Sequence, residues 1–147
     1  RLEGVTRMGI LQFNPHVECY LPDFGGKHDC KRVVFQLIES LLLGRGAYSF
    51  PPHGGLDFAG IDYTGSSHGL APPGGWENIT NDCSLNGDGD DVTLLYNAVA
   101  WVPLRAASRG CMGRPDNHVG GFTRPYIVQA FRSTASPDFE VIVVAGH

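Results

Sequence analysis

One order of apolar periods constrains this chain more than any other feature: strand, helix, strand. Residues 7–13 ("RMGILQF") carry Ile10, Leu11 and Phe13 in a short run that reads as a first strand. The run breaks into Asn14, Pro15 and His16, then Glu18 and Cys19, and residues 21–27 hold Pro22, Gly25 and Gly26, a loop composition. Asp29 is placed to cap a helix that opens with Cys30 and Lys31. Within "KRVVFQLIESLLL" (31–43), Val34, Leu37, Ile38 and Leu41 fall on one face, with Arg32, Gln36, Glu39 and Ser40 largely elsewhere. Gly44 and Gly46 stop it. "LDFAGI" (56–61) is the second strand, so the spacing predicts a parallel pair joined by a helical crossover.

Further along, "GSSHGLAPPGG" (65–75) and "NGDGDD" (86–91) read as solvent-facing loops around a short segment at residues 76–79. "VTLLYN" (92–97) and "AVAWVPL" (98–104) give one strand continuing or turning into another. "RPYIVQAF" (124–131) and "FEVIVVAG" (139–146) flank the turn-like "RSTASPD" and predict a β-hairpin. "VIVV" is apolar at successive positions, the pattern of a strand covered on both faces. The sequence given ends at His147, immediately after that strand. With one crossover helix and six strands expected, either the sheet curls around the helix or another chain covers the exposed edge and face. We expect the second.

The chain has 147 residues and 42% hydrophobic content, enough for one domain with a real core. Its net charge of −4 argues against general affinity for a nucleic-acid backbone, but leaves room for a nuclease whose active site supplies local positive charge or metal. No apolar run approaches the ~20 residues of a membrane span. The sequence opens on Arg1, which we read as a processed start. Four cysteines allow three pairings; the short-loop solution, Cys19–Cys30 with Cys83–Cys111, is the preferred one, and no CxxC spacing competes. Asn78 heads the N-glycosylation triplet "NIT" in a polar stretch. Together these features lead us to expect an extracellular, secreted, disulfide-bonded glycoprotein.

The first strand, the "DFAGI" strand, "VTLLYN", "RPYIVQAF" and "VIVVAGH" together resemble the amino-terminal half of the endonuclease/exonuclease/phosphatase superfamily, the deoxyribonuclease I-like fold. That resemblance runs from about residue 6 to His147. It implies an α/β fold: half of a four-layer sandwich, with a mixed sheet and one long crossover helix, forming a single incomplete domain over residues 1–147. The missing half would come from another chain or from self-assembly. Members of the family cleave phosphodiesters or phosphomonoesters with a divalent metal, commonly Mg²⁺.

By the same resemblance, "LQFNPH" looks like the strand that delivers Asn14 to metal and phosphate. A neutral amide there orients a water or phosphate oxygen without adding negative charge. The plainer reading is a turn made by Asn14 and Pro15. "DFAGIDY" matches the strand that ends in the family's main metal ligand, but Tyr63 stands at the ligand position and a neutral phenol is a poor donor to a hard cation. Asp62 is the substitute to consider, one residue early. In a strand that shift turns a side chain to the other face, so a loop-entry carboxylate is the plainer reading. "VIVVAGH" makes His147 the counterpart of an active-site histidine able to donate to phosphate. The family's later Asp-x-Asn and Asp-His elements do not occur in these residues.

Other motifs are weaker. "NGDGDD" starts like a calcium loop, but Asp91 and Asn97 stand where Gly and Glu are needed. The six histidines (His16, His28, His53, His68, His118, His147) form no zinc spacing, and the only close pairing of interest is His16 with Glu18. "SSH" lacks nucleophile-elbow glycines. The expectation is therefore a secreted structural or interaction protein with no catalytic activity and no cofactor of its own. It would self-associate or bind a second polypeptide that completes the sandwich. The alternative is the amino-terminal fragment of a split, Mg²⁺-dependent phosphodiesterase or nuclease.

Overall fold

A computed structural model of the protein describes residues 8–14, 29–45, 55–62, 71–83, 91–113 and 124–146, the side chains of residues 29–32 excepted. The strand–helix–strand unit forms as its pattern requires. β1 (Ile10–Phe13) and β2 (Phe58–Asp62) pair in parallel, from Ile10 beside Phe58 to Phe13 beside Ile61. Between them runs α1 (Asp29–Leu42). Its stop is a glycine cap: Gly44 takes a left-handed φ of 62°, its N–H donates to the Leu41 carbonyl at 3.2 Å, and the Arg45 N–H reaches the Ser40 carbonyl at 2.8 Å.

β2 is a central strand. β4 (Asp91–Asn97) lies antiparallel on its other side and β3 (Trp76–Asp82) closes the sheet, giving the order β1-β2-β4-β3. Residues 76–79, expected to be a short piece among loops, are thus part of a full seven-residue edge strand. Its polar "WENITND" hides it from a hydrophobicity reading.

The run "VTLLYNAVAWVPL" is where the chain changes sheets. The Asn97 side-chain oxygen accepts from the Val99 N–H at 3.0 Å and the Ala100 N–H at 3.3 Å, folding residues 98–100 into a turn. β5 (Trp101–Pro103) then starts a second, antiparallel sheet with β6 (Ser108–Met112), β7 (Arg124–Ser133) and β8 (Glu140–Gly146). β5 and β6 pair with successive stretches of β7, and the buried Gln129 donates to the Arg105 carbonyl at 2.9 Å across the break between them. The predicted hairpin is β7–β8, paired from Arg132 beside Glu140 to Tyr126 beside Gly146. Among the described residues, eight strands in two packed sheets replace the six-stranded single mixed sheet that the sequence suggested.

Alternation explains the two cores. Val92, Leu94 and Tyr96 of β4 and Phe58 of β2 face the second sheet, meeting Trp101, Ile127, Phe131, Val143 and Ala145. The other faces of these strands, Ala59, Ile61 and Leu95, meet Ile38 and Leu42 of the helix. The described layers are therefore helix, sheet, sheet. On β8 only Val143 and Ala145 are buried, while Ile142 and Val144 stand out of the other face. The apolar run is covered on one side, not two.

Three polar devices join the sheets. Asp57 accepts from the Gly9 N–H at 2.9 Å and from the Trp101 indole N–H at 2.8 Å. Asn81 of β3 donates to the carbonyls of Gly110 at 2.8 Å and Tyr126 at 3.1 Å. Beside it the Cys83–Cys111 disulfide spans 28 residues of chain, a loop whose closure is worth about 3–4 kcal/mol in the chain-entropy account. Cys19 lies outside the described residues, and its pairing with Cys30 with it.

Tyr96 donates a short hydrogen bond to Glu77 on the neighbouring edge strand. Burial first, then that bond and the carboxylate's charge, push the phenol up to about 12. A raised pKa means that the folded state holds the proton more tightly. The contribution to stability is thus complete below the ordinary phenol value of about 10 and falls as pH rises from there to about 12. Ultraviolet titration should show Tyr96 ionising late. Glu77→Gln should bring it earlier while leaving it above the ordinary value, because burial remains.

Candidate functional site

The parallel register builds the candidate site. The β1–β2 ladder ends at Phe13 beside Ile61, so the next residues, Asn14 just past β1 and Asp62 at the last position of β2, follow at the same level of the register. One step earlier, Gln12 pairs with Gly60, and the Gln12 side chain lies across the space a Gly60 Cβ would occupy. Ala145 of β8 approaches that same space to 3.3 Å, and the Gln12 amide donates to the Gly146 carbonyl at 3.4 Å. Three strands from two sheets thus converge where their carboxyl ends meet.

Phe58, Gly60 and Asp62 are alternate residues of one regular strand, and Phe58 and Gly60 both face the second sheet. Asp62, the last residue of β2, therefore turns inward with them, and only 2% of it is exposed. Asn14 is exposed at the end of β1. Tyr63 and His147, the other members of the expected set, lie outside the described residues, as do all six histidines, Glu18 and the run 84–90 of the calcium-like motif.

Asp62 and Asn14 offer hard oxygen donors, one a carboxyl group and one an amide. These suit an oxygen-preferring cation such as Mg²⁺, which takes one or two protein carboxylates and completes its shell with water and phosphate. In kind the donors fit; in number two fall short of a metal site. Among the described residues no group of three or more His, Cys, Asp and Glu side chains is disposed to hold a metal ion. The sequon residue Asn78 is exposed on β3, on the same face as Trp76 and hence on the helix side of the first sheet.

No protein-family model matches the sequence, and no curated protein matches it. In structure the chain is similar to the human Nocturnin catalytic domain, solved with a bound sulfate anion. The TM-score is 0.62 at 12% sequence identity, over 95% of this chain and 50% of that one. The chain spans about half the length of the structure it matches. Its class is thereby an α/β fold similar to half of a DNase I-like four-layer sandwich. Among the described residues no helix is long and apolar enough to cross a membrane.

The close approach at Gly60 generates a test of this convergence. Gly60→Val would drive a side chain into Gln12 and against Ala145, and should destabilise the fold by about 1–3 kcal/mol, read from urea unfolding. Adding Gln12→Ala should recover part of that loss. Additive losses would show that β1 and β8 do not meet over Gly60.

Proposed function

We propose that this chain is the amino-terminal half of a metal-dependent phosphodiesterase whose catalytic set is completed by a second half-domain. What supports this reading is that the parallel β1–β2 ladder ends just before Asn14 and the inward-facing Asp62, within a fold similar to half of a catalytic domain. The sulfate bound by the Nocturnin domain is a tetrahedral oxyanion, like a phosphate ester, and a phosphate-type substrate is the matching choice for this chain.

In this role Asp62 would hold the cation, and the neutral Asn14 amide would orient a phosphate oxygen without adding charge. Mg²⁺, when bound, would supply charge neutralisation at the phosphate. His147, two residues beyond the inward-facing Ala145, would donate a hydrogen bond to the substrate. The group that deprotonates the attacking water belongs to the second half. The 147 residues alone are therefore expected to show no turnover of a chromogenic phosphodiester with Mg²⁺ or Mn²⁺. The assembly with its completing half should turn it over, and Asp62→Asn should lower kcat/KM by about 100-fold or more. Metal-independent hydrolysis, or an Asp62→Asn assembly as active as its parent, would sink the reading.

A second reading is a secreted, glycosylated structural or interaction protein without catalysis. What favours it is the apolar outer face of the second sheet, with Ile142 and Val144 in the open, together with the exposed sequon on β3. On that reading the completed assembly stays inactive with metal. Native material should then carry a sugar on Asn78, seen as an intact mass above that of the polypeptide; an unmodified Asn78 peptide from a glycosylating source would count against it.

A further inference from the structure

We infer that β8 is a self-association edge, at which two copies of this chain pair antiparallel about Val143. Among the described residues β8 pairs with no strand but β7, and at its far end the Gly146 carbonyl accepts from the Gln12 amide at 3.4 Å, so the stretch offered for pairing centres on Ile142 to Val144. The ladder's phase identifies the groups that line it. Ser133 donates to the Phe139 carbonyl, and in a regular antiparallel ladder the residues bonded to β7 then continue as Val141, Val143 and Ala145. The N–H and C=O of Ile142 and Val144 consequently point away from β7.

Among the described residues the other edge strands are guarded and this one is not. β3 carries Glu77 and Asp82, β5 and β6 carry Pro103 and Arg109 and are broken between them, and β1 has only four residues. These are the usual protections of an edge: charge, proline, interruption and shortness. From residue 141 to 146 β8 has no charge and no proline. Its one charge, Glu140, is engaged by Arg132 at 2.7 Å on the same sheet.

The edge is also self-complementary. A twofold pairing centred on Val143 sets Ile142 of each copy opposite Val144 of the other, so the outward-pointing backbone groups meet their own kind in phase. On the outer face Ile142 and Val144, 69% and 65% exposed, would join their symmetry mates in one apolar cluster. Glu140 falls opposite Gly146, so no two carboxylates face each other. The pairing closes on itself, which predicts a dimer and no longer chain of subunits.

The test uses the chain alone and a mass readout, so its failure leaves the reading of the Asn14–Asp62 site untouched. Sedimentation should give a species of twice the 15.9 kDa chain mass that dissociates on dilution. Amide exchange at Ile142 and Val144 should slow as concentration rises, with no such change at β3. Val144→Lys and Ile142→Lys should each weaken the dimer about tenfold or more. Val99→Lys, at a position 73% exposed in the turn before β5, should not. A monomer at every concentration, an open-ended oligomer, a dimer whose Ile142 and Val144 amides exchange independently of concentration, or lysine variants that pair as well as the parent would each overturn the proposal. The exchange measurement is made on the unaltered chain, so it decides the matter even if a variant fails to fold.

Discussion

The layer between the two sheets hangs on Phe58. Its ring lies 5.0 Å from both Trp101 and Phe131, and Phe131 continues the cluster to Tyr96 at 4.9 Å. Tilted aromatic contacts of this kind combine a large buried area with a geometric preference, so they fix how one sheet sits on the other. Asp57, the residue before Phe58, adds direction by holding the Trp101 indole and the Gly9 amide on its two oxygens. A residue pair at the start of β2 thereby sets the position of β1, β2 and β5 together. Everything downstream on β2, including the inward face of Gly60 and Asp62, inherits its phase from Phe58.

That inheritance is why the site's position follows from packing and needs no separate device. If Phe58 points at the second sheet, alternation turns Asp62 the same way four residues on. If Gly60 lacks a side chain, Gln12 and Ala145 can close over it, and the ends of β1, β2 and β8 are drawn together. The core thus costs the site nothing in added strain: the residues that converge there are carried by regular strands. The chemistry is less complete than the geometry. One inward carboxyl and one exposed amide are what the described residues bring to these strand ends.

How much of this was legible varies with how strongly each segment was patterned. β1, α1, β2 and the β7–β8 hairpin have periodicities that burial enforces, and they were readable. The division into two sheets was not, because "VTLLYNAVAWVPL" is apolar throughout and its one informative residue is Asn97, whose side chain folds the turn. β6 ("SRGCM") has no apolar alternation at all; pairing to β7 and the Cys83–Cys111 bond hold it in place. Asp62 is legible in part: the motif match sets it beside Tyr63, which lies outside the described residues, while its inward face follows from strand phase once Phe58 is buried.

The two sheets solve the same burial problem unequally. Each has one face in the shared core. The first sheet's outer face is covered by α1, where Ile38 and Leu42 lie on Ala59, Ile61 and Leu95. The second sheet has no such cover among the described residues, and its outer face shows Val102 and Met112 as well as Ile142 and Val144. Scattered exposed apolar residues are ordinary, but a group on one face beside an uncharged edge is the arrangement that association removes. The exposed sequon sits on the first sheet, and the bare apolar group on the second. The described layers are therefore uneven: one sheet is covered by its own helix, and the other keeps apolar side chains in the open.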